Sequence, residues 1–212
     1  MNAVENIFVC LASPLLLAVI CLRGSRRRML VFFLCGMTAC LLSSYLSSFL
    51  AISAGMDVLA ASLEISPIVE ESMKLFPLLF YLVVFEPKSD YAAGSMLMIA
   101  AGFATFENVC WLLANGASDL TRLLIRGFST GAMHITAGTI SSVGLVKLWN
   151  RPYLRAVGTI GLLSLSVTFH AIYNMLVSRA VPVSVIGYAL PLLTAGVLLV
   201  FAGDTLGRID AG

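Results

Sequence analysis

Charged residues are scarce in this sequence: they make up 11% of its 212 residues, whereas 59% of the residues are hydrophobic. A soluble domain is about a quarter charged, so the chain lacks the polar residues needed to cover a surface in water. It also lacks basic runs interleaved with aromatic residues, which argues against nucleic-acid binding. None of its five cysteines forms a C-x-x-C pair. The lipid bilayer is therefore the expected solvent of this protein.

The start of the chain has no basic residue before its first apolar stretch, and its only early charge is Glu5. A group of arginines follows that stretch instead, which predicts a first membrane-spanning helix with an outside start, not a cleaved signal peptide. Seven segments approach the roughly 20 apolar residues that a spanning helix needs. These segments are 5–22, 29–50, 66–85, 91–114, 122–146, 153–177 and 181–203.

We therefore predict one all-α integral membrane domain over residues 1–212, a polytopic bundle of about seven spans whose motif-bearing core covers about 66–177. The stretch 51–65 is less apolar and is expected to form an outer loop with a short interfacial helix. If the N-terminus is outside, Arg122, Arg126 and Arg179 fall on that side. The opposite side receives Arg23, Arg26, Arg27, Arg28, Lys88, Lys147, Arg151, Arg155 and Arg208. Because cytoplasmic loops are rich in Lys and Arg, the N-terminus is predicted outside and the C-terminus in the cytoplasm.

Ionisable residues within the predicted spans are the most informative feature of the chain. Each costs about 2.5–3.5 kcal/mol at the centre of a membrane helix, so such residues usually mark a functional site that faces the bundle interior. The set comprises Glu70, Glu71, Lys74, Glu107, His134 and His170, accompanied by Asn108 and Asn174.

These polar groups are predicted to lie at a similar depth. With a rise of about 1.5 Å per residue, Glu70 and Glu71 lie ~6–8 Å below the outer end of their span. Glu107 and His170 lie ~10 Å below the same side, and His134 lies deeper, near the midplane. Unrelated structural residues would not need to agree in depth, so the spacing indicates one shared polar site.

Helix faces lead to the same interpretation. Gly127, Gly131, Gly138 and Ser141 share one stripe of the fifth span with His134. Membrane helices pack closely along small residues, so this histidine is expected to point into the bundle.

Taken singly, the same residues have structural explanations. Lys74 can pair with Glu70, one turn away, or with Glu71, and each histidine can hydrogen-bond a neighbouring helix. Taken together, three carboxylates against one lysine leave negative charge that lipid cannot solvate. A shared proton, the histidines, water or a metal must offset that charge.

Read in order, the polar residues form four short motifs: E-E-x-x-K at 70–74, F-x-x-x-E-N at 103–108, H-x-x-x-G at 134–138 and H-x-x-Y-N at 170–174. This series resembles the PrsW family of intramembrane proteases, a relative of the CAAX-processing membrane endopeptidases and of the APH-1 scaffold subunit. The resemblance implies a multi-pass cell-membrane protein, in a bacterial cytoplasmic membrane, that cuts a membrane-anchored, anti-sigma-factor-like substrate near the extracytoplasmic side. One departure concerns Glu107, which stands where the CAAX-processing relatives have a histidine, so their assignment of the base does not transfer.

Two catalytic versions remain open at this stage. In the first, the adjacent acids Glu70 and Glu71 supply the base, His134 and His170 orient water or stabilise the oxyanion, and Asn174 is a further donor. In the second, Glu71, His134 and His170 bind zinc, for which two histidines and a glutamate are a frequent ligand set. The H-E-x-x-H signature is absent, so spacing does not select a metal.

Two other functions compete with proteolysis. A non-catalytic scaffold of the same fold is disfavoured because the acids, the lysine and both histidines are all retained. An ion-coupled transporter would have polar positions that continue to the cytoplasmic side, together with an internal repeat. Neither feature is visible in the sequence.

Overall fold

The computed structural model of the protein describes residues 3–87, 89–116 and 118–206, and these residues form eight α-helices. Lys88 and Arg208, which entered the prediction of orientation, lie outside the described residues. No β-strand occurs in the described ranges, so the predicted all-α class is confirmed. The helices are α1 Ala3–Cys21, α2 Gly24–Ala54, α3 Val58–Glu64, α4 Ser66–Phe85, α5 Ser89–Asn115, α6 Leu120–Leu148, α7 Pro152–Val177 and α8 Val183–Leu206.

The ends of the helices follow local sequence signals. Helix α2 stops at Gly55, whose φ of 65° is left-handed and whose N–H bonds back to the carbonyls of the last turn. Asp57 then caps α3 by accepting a hydrogen bond of 2.8 Å from the Ala60 N–H. This short helix lies within the stretch that was expected to be an outer loop with an interfacial helix. Asp119 caps α6 in the same way.

Four helices, α1, α2, α5 and α7, are long and apolar enough to cross a membrane by length and composition. The described part of α8 contains a shorter apolar stretch, Val183–Leu198. Helices α4 and α6 are ~30 and ~43 Å long at the usual rise per residue, but both carry ionisable and polar residues among their apolar ones. The protein is thus a membrane protein, whereas the span count of seven and the orientation of the termini stay predictions.

Two glycines allow α2 and α5 to touch backbone to backbone. A Cβ atom added to Gly36 would lie 2.0 Å from the Ile99 carbonyl oxygen, and one added to Gly102 would lie 2.0 Å from the Phe33 carbonyl oxygen. No side chain fits at either position, so this crossing depends on glycine, as close membrane-helix contacts usually depend on small residues.

The remaining helices are arranged around this pair. Helix α5 packs against both α2 and α6, α6 also contacts α7 and α8, and α4 lies against α2, α5 and α7. Helices α4, α5, α6 and α7, which carry the four motifs, therefore enclose a common interior. An apolar cluster that includes Phe103 and Phe106 of α5 packs against residues of α1 and α2 beside this interior.

Candidate active site

The structure brings all five predicted catalytic residues together in one buried cluster. Glu70 and Glu71 come from α4, Glu107 from α5, His134 from α6 and His170 from α7. The rings of the two histidines stand edge to face with centroids 5.2 Å apart. Four helices that are separated in sequence thus converge on one polar site, as the agreement in depth predicted.

Lys74 lies at the centre of the cluster and is fully buried. Its ammonium nitrogen is 2.7 Å from Glu71 Oε1 and 2.8 Å from His134 Nδ1. An ammonium group has only donors, so Nδ1 of His134 accepts and its Nε2 carries the proton in the neutral ring. This proton is donated to Oε2 of Glu107 in a short hydrogen bond. Of the two pairings that the sequence allowed for Lys74, with Glu70 or with Glu71, the structure has the one with Glu71.

Glu107 is also held from the side opposite to His134. Arg126 of α6 donates from Nη2 to Glu107 Oε1 over 3.0 Å and from Nη1 to Asn108 Oδ1 over 2.6 Å. The guanidinium fork therefore fixes both polar residues of the second motif at once. Asn108, predicted as a supporting residue, is linked to Glu107 through this arginine.

His170 is oriented by Glu71 and faces Glu70. Its Nδ1 lies 2.7 Å from Glu71 Oε1, so a carboxylate that can only accept fixes the ring proton on Nδ1. The lone pair on Nε2 is then directed towards Oε2 of Glu70, which is 3.8 Å away and beyond hydrogen-bond distance. Oε2 of Glu70 is buried and has no hydrogen-bond partner among the described residues. Two hydrogen-bond acceptors, Oε2 of Glu70 and Nε2 of His170, thus face each other without a donor from the described residues between them.

A polar cavity of about 370 Å³ opens onto this pair. Its walls include Glu70, Glu107 and His170 from the cluster, together with Arg126 and Tyr173. The cavity is large enough for a water molecule and a segment of extended peptide, since a water occupies about 30 Å³ of liquid. The acid–histidine cluster is therefore accessible to a substrate although most of its side chains are buried.

The charges of the cluster do not cancel within the protein. Lys74 and Arg126 supply two positive charges, whereas Glu70, Glu71 and Glu107 are three carboxylates. Lys74 and Arg126 directly contact the other two carboxylates, so Glu70 is the acid without a cation in the described part of the chain. A proton or a bound cation at Glu70 would restore the balance.

The same residues fit a divalent cation. Ligand atoms of Glu70, His134 and His170 all lie within 4.8 Å of one another. Two ligands on a tetrahedral zinc ion are about 3.4 Å apart, given metal–ligand distances of about 2.1 Å, so the 3.8 Å between Glu70 Oε2 and His170 Nε2 is close to this spacing. The hydrogen bond from Glu71 to the other nitrogen of His170 is the usual support of a metal-binding histidine.

The carboxylate in this group is Glu70, whereas the sequence favoured Glu71 for the metal. The difference has a physical reason, because Oε1 of Glu71 already accepts from Lys74 and His170. Both nitrogens of His134 also have partners, so this ring reaches a cation only by exchanging its hydrogen bond to Glu107.

Asn174 lies beside the site rather than on the histidines. It lines the polar cavity, but its amide nitrogen donates to the Ser62 carbonyl of α3 over 2.9 Å. This bond ties α7 to the short helix at the same end of the bundle. Asn174 thus supports the cavity wall, and its oxygen is the atom that remains for other contacts.

Sequence reasoning missed two contributors. Arg126 was counted only as a basic residue near the membrane surface, although the uncompensated acids indicated that a further cation was needed. Tyr173 is nearly buried, and its hydroxyl shares a hydrogen bond of 2.9 Å with Thr130 at the cavity wall. The tyrosine stands within the fourth motif, which was the available signal.

Fold and site together define a helical membrane protein with an acid–histidine cluster inside its helical bundle. A family model described as PrsW family intramembrane metalloprotease matches residues 24–202, which is most of the chain. The protein belongs to this family and is an intramembrane protease, so the resemblance drawn from the four motifs is confirmed. No curated protein and no solved structure gives a match. Membership implies membrane-protein substrates within a bilayer.

Proposed function

We propose that this intramembrane protease hydrolyses a peptide bond of a membrane-anchored substrate near the extracytoplasmic side, with water activated at Glu70, His134 and His170. The observation that carries the proposal is the buried Glu70 oxygen, which has no protein partner in the described ranges and faces His170 across the polar cavity. Following the family resemblance, the substrate is a single-span protein of the anti-sigma-factor type, and the protease resides in a bacterial cytoplasmic membrane.

The depth of the acid–histidine cluster supports cleavage near one surface of the membrane. Glu70 is four residues from the start of α4, Glu107 eight residues from the end of α5, and His170 seven residues from the end of α7. At the usual rise these residues lie ~6–12 Å from the same end of the bundle. The distribution of basic residues predicts that this end is the extracytoplasmic one.

We assign distinct roles to the residues around the cavity. Glu70, His134 and His170 hold a divalent cation, and the two-histidine, one-glutamate set favours zinc. Such a cation, when bound, makes water a strong nucleophile at neutral pH and polarises the substrate carbonyl. Glu71 and Lys74 act as positioning residues, because Glu71 fixes the proton of His170 on Nδ1 and Lys74 orients both Glu71 and His134.

Proton transfer to the leaving amine falls to Glu107. This residue lines the cavity, and once His134 has exchanged its hydrogen bond for the cation, the freed Oε2 of Glu107 would accept a proton from the attacking water and pass it to the amine. Arg126 keeps the Glu107 carboxylate at the cavity wall. In a metal-free version the unpartnered Glu70 oxygen would itself accept the proton of the attacking water.

The proposal is tested by comparing protein N-termini in membranes that contain the wild-type protease or the Glu70→Gln variant, which is nearly isosteric. Termini just outside transmembrane segments, present only with the wild type, are expected and would identify the substrates. Glu64→Gln is the matched control, because Glu64 is exposed at the end of α3 and outside the polar cavity. Identical termini with wild type and Glu70→Gln, with both proteins folded, would favour a scaffold or a transporter.

The metal is tested by a second measurement. Purified wild-type protein is expected to contain about one zinc per chain, and Glu70→Gln and His170→Gln are expected to contain much less. A chelator should abolish cleavage and zinc should restore it. Full activity in the chelator would instead support the metal-free version, in which Glu70 is the base.

A further inference from the structure

Two arginines share one tryptophan at the outer part of the polar cavity. The guanidinium carbon of Arg126 lies 4.8 Å from the centre of the Trp111 ring, and that of Arg122 lies 5.4 Å from it. All three side chains line the same cavity as Glu70, Glu107 and His170. The cavity therefore has acids at its inner part and, at its outer part, two cations beside one tryptophan ring.

The two arginines differ in what their N–H groups do. Arg126 donates to Glu107 and Asn108, so its charge is used inside the site. The guanidinium of Arg122 has no side-chain or carbonyl acceptor in the described ranges of the chain. Its neighbour Asp119 does not serve as one, because the Asp119 carboxylate caps α6 and accepts from the backbone N–H of Arg122.

We propose that Arg122, held against Trp111, is a substrate-binding subsite that takes a carboxylate, namely an aspartate or glutamate in the segment of the substrate outside the scissile bond. The proposal rests on the proposed function and specifies its substrate class. Stacking on the tryptophan face leaves the planar N–H edge of the guanidinium free, and this edge matches a carboxylate in a two-pronged hydrogen bond.

Charge along the cavity gives the subsite a direction. An acidic side chain is attracted to Arg122, whereas the second arginine of the cavity, Arg126, is already paired with Glu107 further in. It would thus be held at the outer part of the cavity while the peptide behind it extends to the acid–histidine cluster. This arrangement sets which bond of the substrate reaches the catalytic residues.

The distance to the catalytic residues predicts where the acid lies. Arg122 is two residues into α6, Glu70 four residues into α4 and His134 fourteen residues into α6, which places the cluster ~3–18 Å deeper than Arg122. An extended peptide advances about 3.3 Å per residue. The acidic residue is therefore expected about one to five residues outside the scissile bond.

The first test examines which residues surround the cleavage sites that the comparison of N-termini identifies. Aspartate or glutamate should be enriched about one to five residues outside the Glu70-dependent cuts. Absence of any Glu70-dependent cut would contradict the proposed function itself. Cuts without such an acidic residue would overturn the subsite alone.

The second test is a charge exchange with purified protease and one identified substrate in liposomes. Arg122→Glu should lower kcat/KM about tenfold or more for the acidic substrate, mainly through KM, as loss of a charge-assisted hydrogen bond predicts. Changing the substrate acid to lysine should impair the wild type and restore cleavage by Arg122→Glu. Trp111→Phe should retain more activity than Trp111→Ala, because only the former keeps an aromatic platform.

Arg179→Glu is the matched control, since Arg179 is exposed at the same end of the bundle and does not line the cavity. It should leave kcat/KM unchanged for all substrates. An equal loss with Arg122→Glu for the acidic substrate and its lysine variant would overturn the subsite and point to a purely structural role. A loss that appears only in liposomes with anionic lipid would likewise overturn it, because Arg122 would then bind lipid phosphate.

Discussion

Replacing Lys74 by methionine tests whether one buried cation holds the site together. The Lys74 side chain has no exposed surface and bonds Glu71 over 2.7 Å and His134 over 2.8 Å. Its removal leaves the Glu71 charge buried with only His170 as a partner. Breaking one member of a buried ion pair costs about 3–5 kcal/mol. Because Glu71 keeps one donor, we expect a loss of ~3 kcal/mol in the free energy of unfolding.

The double variant Lys74→Met/Glu71→Gln removes both charges and is expected to be more stable than the sum of the single changes predicts. The coupling free energy between the two positions should reach ~2 kcal/mol, since contacting charged residues couple by about 0.5–3 kcal/mol. The assay is reversible unfolding in detergent micelles for wild type, both single variants and the double variant. Arg151→Met, an exposed cation in the connection before α7, is the control and should change stability by less than ~0.5 kcal/mol.

Additive losses, or a Lys74→Met protein as stable as the wild type, would refute this account of the cluster. Additivity would mean that Lys74 and Glu71 do not depend on each other for their burial. Wild-type stability would mean that the Glu71 charge is offset by some other group.

Three further predictions concern packing and the cavity wall. Gly36→Ala should lower the free energy of unfolding by about 1–3 kcal/mol or more through overpacking. The control is Gly161→Ala, which has open space around it and should be neutral or stabilising by up to ~1 kcal/mol in the same unfolding assay. Arg126→Gln should lower the cleavage rate by ~10-fold or more through loss of a charged hydrogen bond. Arg126→Lys should retain part of the wild-type rate, and equal rates for the two variants would contradict the role of the positive charge. Tyr173→Phe should cost about 1 kcal/mol of stability, the value of one hydrogen bond, and an unchanged unfolding curve would show that its bond to Thr130 contributes nothing.

The sequence predicted the helical class and the residues that meet in the site because both depend on simple periodicities. Apolar runs of about 20 residues report spanning helices, and a helix rise of about 1.5 Å converts sequence position into depth. The convergence of α4, α5, α6 and α7 on one polar interior followed from those depths. Hydropathy alone is less informative for α4 and α6, because the residues that make the site also reduce the apolar character of these helices.

The partners within the site could not be predicted in the same way. Both Glu70 and Glu71 lie within reach of Lys74 along α4, and the choice of Glu71 depends on His170 and His134 across the bundle. Position in the sequence likewise put Arg126 near the membrane surface, whereas its long side chain turns inwards to Glu107. Such choices are made by neighbours on other helices, which a single sequence does not reveal.

The glycine crossing of α2 and α5 has a consequence for the register of the site. Gly102 directly precedes Phe103, whose ring centre lies 4.8 Å from that of His134. Glu107 lies five residues after Gly102 on the same helix. A slip of α5 along α2 by one residue would displace Glu107 by ~1.5 Å and rotate it by ~100°. Two residues without side chains therefore align the Glu107 carboxylate, which neither of them touches. Variation at position 36 or 102 should alter activity although it leaves every polar group in the sequence unchanged.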